Sequence, residues 1–235
     1  MHKKLCIGFA LLLGTQIAVA EDSGWKGEGE FGFTQTSGNS ETQSFVAKLA
    51  LSYQLTSWKH EAQIEALRSE DDSVLSAERY ELNLQSNYLL SEKSYLFGKL
   101  RYEEDSFNGY DYQASLIFGY GHQFIDTERT GLKLEAGIGW RQGELKIITE
   151  SNDETVGFLG VSFRHKIGSH SEFTQEFQVE GGSNNIYSES DTGFKVNIME
   201  NLAMKLSLLV KNNSDVLSGT EKTDTITAVT LVYNF

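Results

Sequence analysis

The sequence predicts an all-β protein, a transmembrane antiparallel up-and-down barrel of about twelve strands, and three observations carry that expectation. The closing stretch, Thr225 to Phe235, alternates Val229, Leu231, Tyr233 and Phe235 with Ala228, Thr230 and Asn234, so a strand there has an apolar face ending in an aromatic. Similar alternation recurs along the chain from Trp25 onward, with no convincing amphipathic helix between. The connections differ as well: those after even-numbered segments are tight, whereas most of those after odd-numbered ones are long, polar and acidic.

Residues 1–20 read as a cleaved secretory signal peptide. Lys3 and Lys4 precede an apolar run from Leu5 to Leu13, and Ala18-Val19-Ala20 stands before Glu21. The barrel is then expected over residues 21–235, outside the cytoplasm. The only cysteine, Cys6, lies inside this leader, which leaves the mature chain neither a disulfide nor a lipid anchor. Without the leader the chain keeps 18 basic residues against 33 acidic ones, a formal charge of −15, and nucleic acid is excluded as a partner. No later segment supplies the roughly 18 apolar residues of a membrane helix, so a membrane crossing falls to a closed sheet. Proline is absent, as suits a chain whose backbone N–H groups are wanted by ladder bonds.

The first strand, Trp25 to Thr36, carries Trp25, Phe31 and Phe33 against Lys26, Glu28 and Glu30, and turns at Ser37 to Ser40. The second alternates Phe45, Ala47, Leu49, Leu51 and Tyr53 with Val46, Lys48, Ala50 and Ser52. The third sets Trp58, Ala62 and Ile64 against Lys59, Glu61 and Glu65, before a polar loop from Ser69 to Glu78. The fourth, Tyr80 to Tyr88, opposes Leu82 and Leu84 to Glu81 and Asn83; the fifth opposes Leu96, Leu100 and Tyr102 to Lys99, Arg101 and Glu103. The sixth runs from Tyr112 to Phe124, and the seventh sets Leu132, Leu134 and Ile138 against Lys133, Glu135 and Arg141. After a loop from Gly143 to Glu154, the eighth, Thr155 to Ile167, carries Arg164 and Lys166 on its polar side; the ninth carries Glu172 and Glu176 on its own. A loop from Gly181 to Ser190 leads to the tenth, with Phe194 and Val196 opposite Lys195, and to the eleventh, Leu202 to Val210. Strands of about ten residues, at about 3.3 Å each and tilted about 45°, cover an apolar slab of roughly 25 Å.

In a membrane the apolar faces meet lipid and the polar faces line the lumen. The lining is assigned to Glu61, Glu65, Glu81, Lys99, Arg101, Lys133, Glu135, Arg164, Glu176 and Lys195, a mixture that fits either a salt-bridged plug or a narrow hydrated pore. Inward Gly119, Gly121, Gly137 and Gly139 are expected to accept bulky side chains from across the lumen. Trp25, Tyr53, Trp58, Tyr88, Tyr120, Phe124 and Tyr233 fall at one rim, Tyr80, Tyr102, Tyr112 and Trp140 at the other, as two aromatic girdles. A soluble lipocalin-like barrel would reverse inside and outside; the leader, the terminal Phe235 and the alternating loop lengths weigh against it. Catalysis is not expected, because His60, His122 and His165 carry the lipid-facing parity and no strand pairing supplies both a nucleophile and an orienting group. His165 and His170 give two ligands without a third, so neither metal nor cofactor is assigned. The acidic loop clusters Glu70-Asp71-Asp72, Glu103-Glu104-Asp105 and Asp153-Glu154 read first as solvated charge and second as a place for divalent cations.

The stretches SYLFGKLRYEEDSFNGYDYQ (Ser94 to Gln113), GYGHQFIDTERTGLKLEAGIGWR (Gly119 to Arg141) and NNSDVLSGTEKTDT (from Asn212) with its closing strand resemble a bacterial outer-membrane family of unknown function, often labelled salt-stress-induced outer-membrane protein. The likeness extends to GFTQTSGNSET (Gly32 to Thr42) and covers nearly the whole mature chain. It implies a Gram-negative outer-membrane barrel with an envelope role under salt or osmotic stress, and no catalytic or binding residues. The expected partners are outer-membrane lipids and lipopolysaccharide, the barrel assembly machinery, for which Val229, Leu231, Tyr233 and Phe235 form the terminal signal, and small solutes or ions if the lumen conducts.

Overall fold

Alternation with period two forces successive side chains to opposite faces of a strand. In the computed structural model, which describes residues 24–35, 42–72, 74–106, 110–145, 151–216, 219 and 221–235, the strands so built close into one barrel. They are β1 (Trp25–Gln35), β2 (Thr42–Gln54), β3 (Trp58–Asp71), β4 (Val74–Leu89), β5 (Ser94–Asp105) and β6 (Tyr110–Asp126). The other half consists of β7 (Thr130–Leu145), β8 (Ser151–Ile167), β9 (Ser171–Gly181), β10 (Ile186–Asn197), β11 (Leu202–Asn213) and β12 (Thr223–Asn234). Each pairs antiparallel with its sequence neighbours, and β1 with β12, so the topology is the expected up-and-down one. The leader and the first turn, Ser37 to Ser40, lie outside the described residues.

The odd-numbered connections are shorter than their polarity suggested. Where a loop was expected from Ser69 to Glu78, the ladder continues through Glu70↔Leu75 and Asp71↔Val74, and Asp72 turns the chain with φ of 47°. Arg68 fastens the extension by donating to Glu70 at 2.7 Å and to Glu78 at 3.0 Å. The stretches read as loops after the seventh and ninth strands likewise contain paired residues, with Gly143↔Asn152 on one hairpin and Tyr187↔Glu180 on the other. Polarity there marks exposure to water, and it does not end the pairing of strands that run on past the bilayer.

The outer face is apolar. Ile138 and Phe118 are 72% and 60% exposed, and the same belt includes Leu84, Leu159, Leu206 and Leu231. A continuous apolar belt of this kind is untenable in water and natural in lipid. Both girdles face outward and are in contact across strands, with Trp25 stacked on Tyr53 at 4.6 Å, Trp58 tilted against Tyr88 at 5.1 Å, and Tyr102 stacked on Tyr112 at 5.9 Å between ring centres.

The closing seam is unlike the others. Phe235 exchanges both backbone hydrogen bonds with Gly27, at 2.8 and 2.9 Å, and the ladder continues from Glu28↔Asn234 to Phe31↔Leu231. Among the described residues the ladder ends there, although β1 stays paired with β2 up to Gln35↔Gln43 and β12 with β11 up to Asn212↔Thr223. Gly27 is glycine for a steric reason: a Cβ there would lie 2.3 Å from the Phe235 ring.

Candidate functional site

Among the described residues the lumen gathers the largest set of charged side chains, and it divides along its axis. Toward the end away from the termini, inward residues of β4 and β5 stand two apart along each strand, so Arg79 and Glu81, and Arg101 and Glu103, point into the same space. Arg79 donates to Glu81 at 2.9 Å, to Glu103 at 3.5 Å and to Glu65 of β3. Arg101 donates to Glu103 at 2.6 Å and to the Tyr187 hydroxyl of β10 at 2.8 Å, with its guanidinium 4.2 Å from that ring's centre. The Tyr187 hydroxyl in turn donates to Glu189, and Lys211 of β11 donates to Glu103. In the strand order β5 and β11 are diametrically opposed, so these contacts span the barrel.

A second cluster extends this stopper over β6 to β9. Arg141 donates to Glu154 at 2.6 Å and to the carbonyls of Glu180 and Asn185 at 3.2 and 2.5 Å, while Ser115 donates to Glu180 at 3.0 Å. Arg101 and Glu103 are each 1% exposed, and Arg79 and Arg141 each 3%. Buried charges survive only when paired and hydrogen-bonded, and that is how these stand. Glu154, expected in a loop, lies on a strand and points inward, as does Glu103, expected on the polar side of the fifth strand and also within an acidic cluster. Their carboxylates neutralise arginines.

Below the stopper lies an apolar collar of Tyr95, Phe97, Ile117, Val156 and Phe158, all inward-facing. Glycines on the neighbouring strands make room for it. A Cβ on Gly121 would sit 2.2 Å from the Tyr95 ring, one on Gly119 2.6 Å from the Phe97 ring, and one on Gly139 2.7 Å from Ile117. These glycines do accept bulky side chains, but from the adjacent strand and not from across the lumen, since Gly121 and Gly119 are the direct ladder partners of Tyr95 and Phe97. The Tyr95 hydroxyl leaves the collar to donate to Glu135 at 2.6 Å.

Toward the end with the termini, the expected periplasmic end, the lumen widens into a cavity of about 590 Å³ lined by Lys48, Glu61, Lys99, Lys133, Glu135 and Glu176 among others. Its pairs are looser. Lys133 stands 3.6 Å from Glu135 and Lys48 3.9 Å from Asp191, while Lys205 reaches Glu30 at 2.8 Å. Lys99 donates to Gln178 at 2.6 Å and lies 5.0 Å from the Phe158 ring centre.

Of the residues assigned to the lining, Glu61, Lys99, Lys133, Glu135 and Glu176 thus border this vestibule, whereas Glu65, Glu81 and Arg101 belong to the stopper. Arg164 and Lys195 converge on Glu172, at 3.6 and 3.5 Å, and Lys195 also donates to Glu28 on the border of the vestibule at 3.2 Å. Val229, Leu231, Tyr233 and Phe235 all stand exposed on the outer face at the closing strand. Sequence reasoning overlooked Tyr187, placed in a loop, and the collar, whose Tyr95 and Phe97 share the parity of Lys99 and Arg101. The signal was there in the glycines opposite.

The histidines sit in polar cross-strand pairs. The strand pairing does supply each with a hydroxyl: His60 Nδ1 lies 2.9 Å from Ser86 Oγ, His122 Nδ1 2.9 Å from Ser94 Oγ, and His165 Nδ1 2.8 Å from Thr130 Oγ1. All three are direct cross-strand pairs on the outward parity, each with an aromatic ring stacked beside it, Trp58, Tyr120 and Phe163 respectively. His170 is bonded to Ser169, apart from His165. Among the described residues no three potential metal ligands gather.

The solved structures that this chain resembles show the same architecture. The NanC porin superposes with a TM-score of 0.54 over 89% of this chain and 98% of its own, at 9% identity. An outer membrane channel from Pseudomonas putida F1 gives 0.54 over 91% and 96%, at 13% identity. The translocator domain of the autotransporter NalP from Neisseria meningitidis gives 0.50 over 91% and 89%, at 12% identity. In sequence, the uncharacterized protein YdiY of Escherichia coli (strain K12) is 27% identical over 208 residues, covering 86% of this chain and 80% of that protein. An apolar outer belt, a polar lumen and this barrel topology make the protein an outer-membrane β-barrel. The match of residues 29–235 to the family described as "Protein of unknown function, DUF481" spans nearly all of that barrel, and the chain belongs to this family.

Proposed function

We propose that the protein is a non-enzymatic outer-membrane barrel whose lumen is shut at rest, with a hydrated vestibule open toward the periplasm beneath a charged stopper. The observation that carries this reading is the bridging of opposite walls by Arg101, Glu103, Tyr187 and Lys211, all nearly or fully buried. Breaking a buried pair by removing one partner costs about 3–5 kcal/mol, so thermal opening of such a network is rare. The vestibule and the channel proteins among the structural relatives favour a second reading, a narrow conduit for small solutes or ions in which the stopper acts as a gate. Planar-bilayer recordings separate the two. Wild-type protein, shown folded by heat-dependent gel migration, is expected to be silent at low voltage, and the double variant Arg101→Met, Glu103→Gln to pass current. Steady conductance of the wild type would overturn the closed reading in favour of the conduit.

The role in salt or osmotic stress implied by the family resemblance belongs to this proposal, as do lipid and lipopolysaccharide contacts along the outer belt. It is tested by growth of a deletion strain at high salt. The outward row Val229, Leu231, Tyr233 and Phe235 is proposed as the signal for the assembly machinery, and loss of Phe235 is expected to lower the amount of folded barrel in the outer membrane.

A further inference from the structure

In the stopper Arg79, Arg101 and Arg141 are all matched by carboxylates, whereas on the vestibule wall Lys99 and Glu176 are not matched by any counter-charge. Lys99 of β5 crosses to β9, where its ammonium donates to the neutral Gln178 amide oxygen at 2.6 Å and stands 5.0 Å from the Phe158 ring centre. Among the described residues it forms no ion pair. Glu176, two residues before Gln178 on the same inner face of β9, accepts from the Ser162 hydroxyl at 2.5 Å and has no cation in direct contact among the described residues. Its direct ladder partner is a second carboxylate, Asp191 of β10, and like charges opposite each other in a sheet repel. Asp191 has Lys48 at 3.9 Å, and its Oδ1 meets no donor among the described residues.

These groups border one space. Lys99, Glu176, Asp191 and Phe158 all line the cavity of about 590 Å³, a volume inside the range of about 300–1,000 Å³ usual for small-molecule sites. Alternate residues of a strand lie about 7 Å apart along its face, so an ammonium held at Gln178 and the Glu176 carboxylate are separated by about that span. A group placed between them needs a negative end toward Lys99 and a positive end toward Glu176. Simple ions answer each charge singly. A molecule that carries both charges on one carbon answers them together: its ammonium nitrogen stands about 2.5 Å from its carboxylate carbon, and a charge-assisted hydrogen bond of about 2.8 Å at either end covers the gap. Phe158 supplies a third contact, because it belongs to the apolar collar and its ring faces the cavity beside Lys99. An apolar side chain on that same carbon is shielded from water there.

We propose that the vestibule binds a free α-amino acid with an apolar side chain, its carboxylate on Lys99, its ammonium on Glu176 beside Asp191, and its side chain against Phe158. The site rests on the vestibule of the proposed function and on neither its closure nor its conductance, so binding is read at equilibrium, without current. The test is titration calorimetry on the refolded full barrel in detergent micelles, its folding checked by heat-dependent gel migration. The probes are L-leucine and two analogues that each lack one of its charges, isoamylamine and isocaproate. Wild-type protein is expected to bind leucine at least tenfold more tightly than either analogue. Glu176→Gln is expected to weaken leucine and isoamylamine at least fivefold and to leave isocaproate unchanged, and Lys99→Met to weaken leucine and isocaproate and to leave isoamylamine unchanged. Leucine no tighter than the analogues overturns the proposal, because each charge is then answered singly. Leucine binding unchanged in both variants also overturns it, since the ligand then sits elsewhere on the barrel or in the micelle. So does the absence of saturable leucine binding to the wild type, whatever the bilayer recordings show.

Discussion

The two halves of the lumen draw on the same residue types and reach opposite states. In the stopper, Glu103 has three cationic partners, Arg79, Arg101 and Lys211, and is almost wholly buried. In the vestibule, Glu176 accepts from the Ser162 hydroxyl at 2.5 Å, has no cation in direct contact among the described residues, and remains open to solvent. The difference lies in span and burial. Arg101 to Tyr187 and Lys211 to Glu103 join strands five and six places apart in buried contacts, whereas the vestibule's contacts, such as Lys99 to Gln178 and Lys48 to Asp191, span four places or fewer around an open cavity. Pairs of charges therefore do not by themselves plug a barrel; reach and burial decide it.

The largest effect is expected where that contrast is sharpest. Glu103→Ala leaves buried cations uncompensated and is expected to lower stability by about 3–5 kcal/mol. Glu176→Ala, in the solvated half, should change it by less than about 1 kcal/mol. Urea unfolding in lipid vesicles reads both, and equal losses would break the comparison. Next come the glycines. Gly121→Leu forces a side chain into the Tyr95 ring and is expected to cost about 1–3 kcal/mol or more, whereas Gly131→Ala, whose nearest neighbour would be Arg164 at 3.6 Å, is expected within about 0.5 kcal/mol of wild type. Smaller again is Tyr187→Phe, which keeps the ring beneath Arg101 and removes the hydroxyl between Arg101 and Glu189, for an expected loss of about 1–3 kcal/mol.

How far all this was legible follows from which physical quantity each feature needs. Parity sufficed for inside and outside: Glu81, Arg101 and Glu135 point inward because their neighbours Leu82, Leu100 and Leu134 belong to lipid. Parity does not give the stagger between strands. Whether Arg101 meets Tyr187 or Lys195 on the far wall depends on a shift accumulated over several ladders, so the stopper could not be drawn from the sequence. Tyr187 and Glu154 were further obscured because polar, acidic strand ends look like loops. The glycines illustrate an intermediate case, since a packing role was legible in Gly119 and Gly121 and the identity of the partners required their register with Phe97 and Tyr95.

The smallest expected effect separates the halves by their response to salt. Exposed charges lose each other over about 10 Å at 0.1 M ionic strength and about 3 Å at 1 M, while buried pairs are screened far less. Lys133→Ala removes a charge that borders the open vestibule and stands 3.6 Å from Glu135. Its cost, below about 1 kcal/mol at low salt, is expected to fade toward zero at about 1 M. Arg101→Ala, inside the stopper, is expected to carry the same large cost at both ionic strengths. Unfolding midpoints of the two variants and the wild type, at low and high salt, give the answer directly. Should the Arg101→Ala loss shrink with salt as the Lys133→Ala loss does, water and ions reach the stopper, and the outer half is a solvated extension of the vestibule. If only Lys133→Ala responds, the vestibule alone senses ionic strength and the stopper holds the barrel shut regardless of it.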